Sequence, residues 1–135
     1  MKKILIAALV AGLVLLVFSI LGLYLTVWLF PGIAVQYFDP AFDVQPSRFM
    51  LYCLHPFIIS MALSLFWVRV RKILTGSFIP RGIEFGIMYA VIAIFPIMWM
   101  IYSAMNVSLA LVTTWFVLAI VQGIIAGLVF EKVNP

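Results

Sequence analysis

An all-α integral membrane fold, with four transmembrane helices in an antiparallel up-down bundle, is predicted by three features of this sequence. Hydrophobic residues make up 67% of the chain and charged residues 9%. The apolar residues fall into four runs, each long enough to cross a hydrocarbon core as a helix of about 20 residues. The few charges sit at the ends of those runs. Together the runs take up nearly all of the 135 residues, so a single transmembrane domain is expected over 1–135, with little chain outside the bilayer.

The first span is expected over 4–30, ended by Pro31-Gly32. It follows Lys2-Lys3 but is longer than the roughly 7–15 apolar residues of a signal peptide and has no suitable small-x-small site, so an uncleaved helix is expected. A turn-rich segment follows, with Asp39-Pro40, Asp43, Gln45-Pro46 and Ser47. Ser47 is the expected N-cap of the second span, over 48–70. A basic turn carrying Arg69, Arg71 and Lys72 leads to the third span, over 80–104, where Pro80 suits the first helical turn. The short link Asn106-Val107-Ser108 leads to the fourth span, over 109–130. Short links make neighbouring spans antiparallel.

Orientation follows from the basic residues. Lys2, Lys3, Arg69, Arg71, Lys72 and Arg81 fall on one side of a four-span layout, and positive residues in short loops favour the cytoplasmic side. Both termini are therefore expected inside. Tyr24, Trp28, Trp99 and Tyr102 fall near the outer boundary and Trp67 near the inner one, as suits interfacial aromatics. The Arg81-Gly82-Ile83-Glu84-Phe85-Gly86 start of the third span is similar to that of many small bacterial inner-membrane proteins. That likeness implies a bacterial-type inner (plasma) membrane and no particular activity.

The expected partners are lipids. The basic loop suits anionic head groups, and basic residues confined to the ends of apolar runs argue against nucleic acid. Small residues recur four apart at Gly82, Gly86 and Ala90, at Ala119, Gly123 and Gly127, at Ala8 and Gly12, and at Ser60 and Ser64. Such ridges let helix backbones approach closely, either inside one bundle or at a seam with a homo-oligomer or another membrane protein.

Polar groups in hydrocarbon cost several kcal/mol and mark functional candidates. His55, about two turns into the second span and followed by Pro56, is the clearest, because histidine can carry a proton or hold a ligand. Tyr52 lies beside it, and Trp99, Tyr102 and Asn106 are expected at the same depth. These five form a candidate ligand-binding group near the outer side, with Pro56 and Pro96 expected to bend their helices around it. A second polar cluster is expected toward the inner side: Arg81 and Glu84, three apart on one helix face, with Gln122. The carboxylate would pair with Arg81, or with Arg69 or Arg71.

No catalytic residues, metal site or cofactor are expected. One cysteine, Cys53, excludes an internal disulfide and a CxxC pair. One histidine cannot supply a His-rich metal site, and Cys53 and His55, two apart on a helix, face different ways. The chain is similar in size and span number to small multidrug exporters, but its first span holds no acidic residue, so the likeness stops at size. The leading expectation is a non-enzymatic multi-pass protein, an oligomer or an accessory subunit of a membrane complex. The alternatives are a transporter, channel or ligand-binding protein using His55, and a lipid-modifying enzyme.

Overall fold

A computed structural model describes residues 2–39 and 48–135. Its regular elements are all helical. Helix α1 spans Lys2–Leu29; Pro31 then opens the short α2, Pro31–Ala34, followed by a 3-10 turn, Val35–Phe38. Helix α3 spans Phe49–Val70, α4 Phe78–Tyr89, α5 Phe95–Ala104 and α6 Leu109–Val133. Among the described residues, four helical stretches are long and apolar enough to cross a membrane: Lys2–Leu29, Phe49–Val70, Phe78–Ala104 and Leu109–Val133. Ser47, the expected N-cap of the second stretch, and Asp43 lie outside the described residues.

Local chemistry sets the boundaries. Gly76, at φ +90°, takes the left-handed conformation that glycine adopts without a Cβ clash, and turns the chain between α3 and α4. Ser108 caps α6, its Oγ accepting from the Leu111 N–H at 3.1 Å. Pro56 lies inside a continuous α3. Pro96, by contrast, is preceded by a π-helical turn over Ala90–Ile94, in which Phe95 N–H donates to the Ala90 carbonyl. A widened turn is a common way to absorb the missing N–H and the ring of a proline.

The helices pack through their small residues. Gly86 Cα and Gly82 Cα lie 3.1 Å from where Cβ atoms would stand on Gly123 and Gly127 respectively, so α4 and α6 meet backbone to backbone. Helices α1 and α3 meet where the Ser60 hydroxyl donates to the Ala8 carbonyl at 2.8 Å and Gly12 faces the Phe57 ring. Helices α1 and α6 meet at Ser19 and Gln122 and at Gly22 and Leu118.

The densest packing lies at the basic end. There Trp67 stands edge-on to Phe85 at 5.2 Å, and Phe85 edge-on to Phe130 at 6.0 Å, with Ala7, Ala11 and Leu15 of α1 in the same core. The other end is looser, and α5 buries no residue fully. Two grooves open in that looser half.

Candidate functional site

The main site is a cleft of about 430 Å³ whose walls come from α1, α3, α6 and the 3-10 turn. Helix α1 supplies Ser19, Gly22, Leu23 and Thr26. Steps of three and four keep these residues on one face. Helix α6 supplies Trp115, Leu118, Ala119 and Gln122 by the same spacing, and α3 supplies Tyr52 and His55, three apart. Phe18 and Tyr37 complete the lining. Gly22 helps to keep the cleft open, since it puts no side chain into the wall.

Polar groups are fixed at several points around this space. Gln122 Nε2 donates to Ser19 Oγ at 3.0 Å, which ties α6 to α1. Trp115 Nε1 donates to the Tyr37 hydroxyl at 2.6 Å, with the two rings 6.3 Å apart. The Thr26 hydroxyl donates to the Gly22 carbonyl one turn back, at 2.8 Å, which satisfies it locally. His55 and the Tyr52 hydroxyl make no hydrogen bond to any described residue, and both side chains are exposed. Among the described residues, no Asp, Glu, Lys or Arg lines the cleft.

This arrangement offers hydrogen bonds without charge. The free valences of His55, Tyr52, Ser19 and Gln122 can donate to and accept from a neutral polar group, while Phe18, Leu23 and Leu118 supply apolar wall. It does not assemble a nucleophile with a base, because His55 bonds neither Ser19 nor Thr26 and Cys53 is not in the lining. Among the described residues, no group of three or more His, Cys, Asp or Glu is placed to hold a metal ion.

The five residues expected to share a site fall into three places. His55 and Tyr52 lie in the cleft. Trp99 and Tyr102 line a separate apolar groove of about 260 Å³ between α5 and α6, with Phe95, Met98 and Phe116. Asn106 is exposed in the link before α6 and lines neither space. Helix α5 packs on α6, so Trp99 and Tyr102 line the groove between those two helices and not the cleft.

The expected inner cluster is also rearranged. Arg81 forms its ion pair with Glu131, at the far end of α6, rather than with Glu84. Its other terminal nitrogen donates to the Arg71 carbonyl at 2.8 Å, and its guanidinium lies 5.6 Å from the centre of the Trp67 ring. Glu84 instead accepts from the Thr75 backbone N–H at 3.0 Å and so caps the turn before α4. The reason is the α4–α6 crossing: Gly82 against Gly127 sets Arg81 opposite the last turn of α6. Gln122 belongs to the cleft.

Reasoning from the sequence missed Ser19, Thr26, Tyr37, Trp115 and Glu131. Of these only Glu131 carried a signal, as a carboxylate at the end of an apolar run facing a basic loop. Comparison of the chain with protein-family models, with curated proteins and with solved structures finds no match. The four apolar helices define the class, a small helical protein compatible with life in a membrane.

Proposed function

We propose that this is a non-enzymatic, multi-pass membrane protein that binds an uncharged amphipathic molecule in the cleft at His55. The observation that carries the proposal is the lining: among the described residues it offers seven side chains able to hydrogen-bond, from Ser19, Thr26, Tyr37, Tyr52, His55, Trp115 and Gln122, and none that is a carboxylate, ammonium or guanidinium. A charged ligand would have to leave water for a site whose described residues supply no counter-charge, at a cost of several kcal/mol. A neutral head group with hydroxyl or carbonyl oxygens meets partners, and its chain leaves along apolar wall.

The cleft is held to lie in the outer half of an up-down bundle, with both termini on the cytoplasmic side of a bacterial-type inner membrane. His55 stands roughly 24 Å along the helix from Arg71, at 1.5 Å per residue. The basic residues gathered at the opposite end support this orientation through the positive-inside tendency. Gly82, Gly86, Gly123 and Gly127 are buried against one another within the chain, which supports reading those four glycines as packing inside one bundle.

The test uses a photoreactive monoacylglycerol, a neutral amphipath with free hydroxyls, on protein in lipid nanodiscs. Saturable labelling is expected, with competition by unlabelled monoacylglycerol at least tenfold stronger than by an alkylammonium of the same chain length, since about 1.4 kcal/mol is a factor of ten. Labelling that does not saturate, or that the cation blocks equally well, contradicts the proposal.

A further inference from the structure

The basic end of the molecule carries a second recess, remote from the cleft. It measures about 490 Å³ and is lined by Lys2, Lys3 and Ile4 of α1, Val68 and Arg71 at the end of α3, and Asn134 after α6. Three segments distant in sequence thus bring three cations to one concavity, and no Asp or Glu lines it among the described residues. Glu131 is held by Arg81 and Glu84 by the Thr75 amide, so neither is committed to these charges.

Arg71 is held in place by the chain after α6. Its Nη1 donates to the Asn134 carbonyl at 3.2 Å and to Asn134 Oδ1 at 3.1 Å, and it also donates to the backbone oxygen of Pro135. Asn134 is itself buried and fixed, its carbonyl also accepting from Trp67 Nε1 at 2.9 Å. Every bond Arg71 makes from its guanidinium to a described residue uses that one nitrogen, so Nε and Nη2 stay free. Those two nitrogens form the edge of the fork that meets phosphate oxygens in pairs. Lys2 and Lys3 add mobile point charges. Three cationic side chains around one recess favour an anion there.

We propose that this recess binds the phosphate of an anionic phospholipid head group. Ile4 and Val68 continue the lining as apolar wall, which suits the first carbons of an acyl chain and gives a soluble phosphate nothing to contact. Basic pockets between helices at the cytoplasmic face are a general means of holding such lipids. The site stands apart from the cleft, so it survives whether or not the cleft binds a neutral amphipath.

The test compares two double variants with the same loss of charge. In one, Lys2→Gln and Lys3→Gln empty the recess of its two ammonium groups. In the other, Arg69→Gln and Lys72→Gln remove charges at the same end that do not line it. Each protein is taken from nanodiscs of phosphatidylcholine with a minor fraction of phosphatidylglycerol, and retained lipid is measured by native mass spectrometry. The recess predicts that the first variant loses affinity for phosphatidylglycerol about thirtyfold, at roughly fivefold per basic residue, while the second changes less than about threefold. Far-UV circular dichroism checks that the Lys2/Lys3 variant keeps its helices, as expected for exposed residues in a first turn. Equal losses in both variants, or no phosphatidylglycerol retained by the wild type, overturn the proposal. Displacement of the lipid by millimolar inorganic phosphate alone supports an anion site but overturns its assignment to lipid.

Discussion

Gly86 leaves no room for a methyl group. A Cβ there would stand 2.5 Å from the backbone nitrogen of Ile124 and 2.8 Å from its Cα, and backbone cannot swing aside. Gly86→Ala is therefore expected to force α4 away from α6 and cost about 1–3 kcal/mol, as overpacking does. Gly22→Ala is the contrast. Its nearest new neighbour would be Leu118 Cδ2 at 3.7 Å, an ordinary contact, so it should be neutral or stabilising by up to about 1 kcal/mol. Chemical unfolding in micelles, followed by circular dichroism, checks both. A Gly86→Ala protein as stable as wild type would show that the two helices do not pack this closely. At this scale the sequence was informative where a side chain was missing or costly. The small-residue spacing at Gly82, Gly86, Gly123 and Gly127 could be read directly, as could the oddity of His55. Thr26 could not, because a hydroxyl satisfied by its own helix is cheap in an apolar span and gives no signal of what it lines; Ser19 could not, because its partner Gln122 stands on another helix.

Helices α4 and α6 are joined at the basic end by Arg81 and Glu131, whose side chains are 19% and 12% exposed. Removing one partner strands the other in a poorly hydrated place. Arg81→Gln is expected to cost about 1–3 kcal/mol, below the roughly 3–5 kcal/mol of a fully buried pair because both groups keep some contact with solvent. Glu84→Gln should cost less than about 1 kcal/mol, since it weakens one exposed bond to the Thr75 amide. Adding Glu131→Gln to Arg81→Gln should recover part of the loss, a coupling that a double-mutant cycle measures. If Glu84→Gln proved the more damaging, the pairing would be wrong. The spacing of Arg81 and Glu84 suggested the other pair, because neighbours on one helix are visible in a sequence and neighbours on two helices are not. Helix extents fared better: run length, Pro31, Ser108 and the basic residues mark the ends of helices through local chemistry, to within about three residues of α1, α3 and α6.

The whole molecule reads as four apolar helices because composition, run length and the placement of charge all act on the same large energy, the transfer of chain into hydrocarbon. Which helix touches which is decided by smaller terms, and it decides the site. Helix α1 contacts both α3 and α6, while α5 lies against α6, so His55 joins Ser19, Tyr37 and Gln122 and is separated from Trp99 and Tyr102. The proposed orientation has its own check. A cysteine introduced at Asn106 should react with a membrane-impermeant maleimide in intact cells, and one at Thr75 only after the cells are opened. The reverse pattern would invert the bundle and put the cleft in the inner half.

The cleft itself is tested most directly by mapping where the photoreactive monoacylglycerol attaches. Ala119 lines the cleft beside Gln122, and Ala119→Phe places a ring in that space, whereas Ile58 and Val91 are exposed on apolar surface outside it. The account predicts that saturable label concentrates on the peptides carrying Ser19, Tyr52 and Trp115, and that Ala119→Phe removes it at least tenfold without lowering thermal stability. Label spread evenly over the Ile58 and Val91 surfaces, and unchanged by Ala119→Phe, would contradict it.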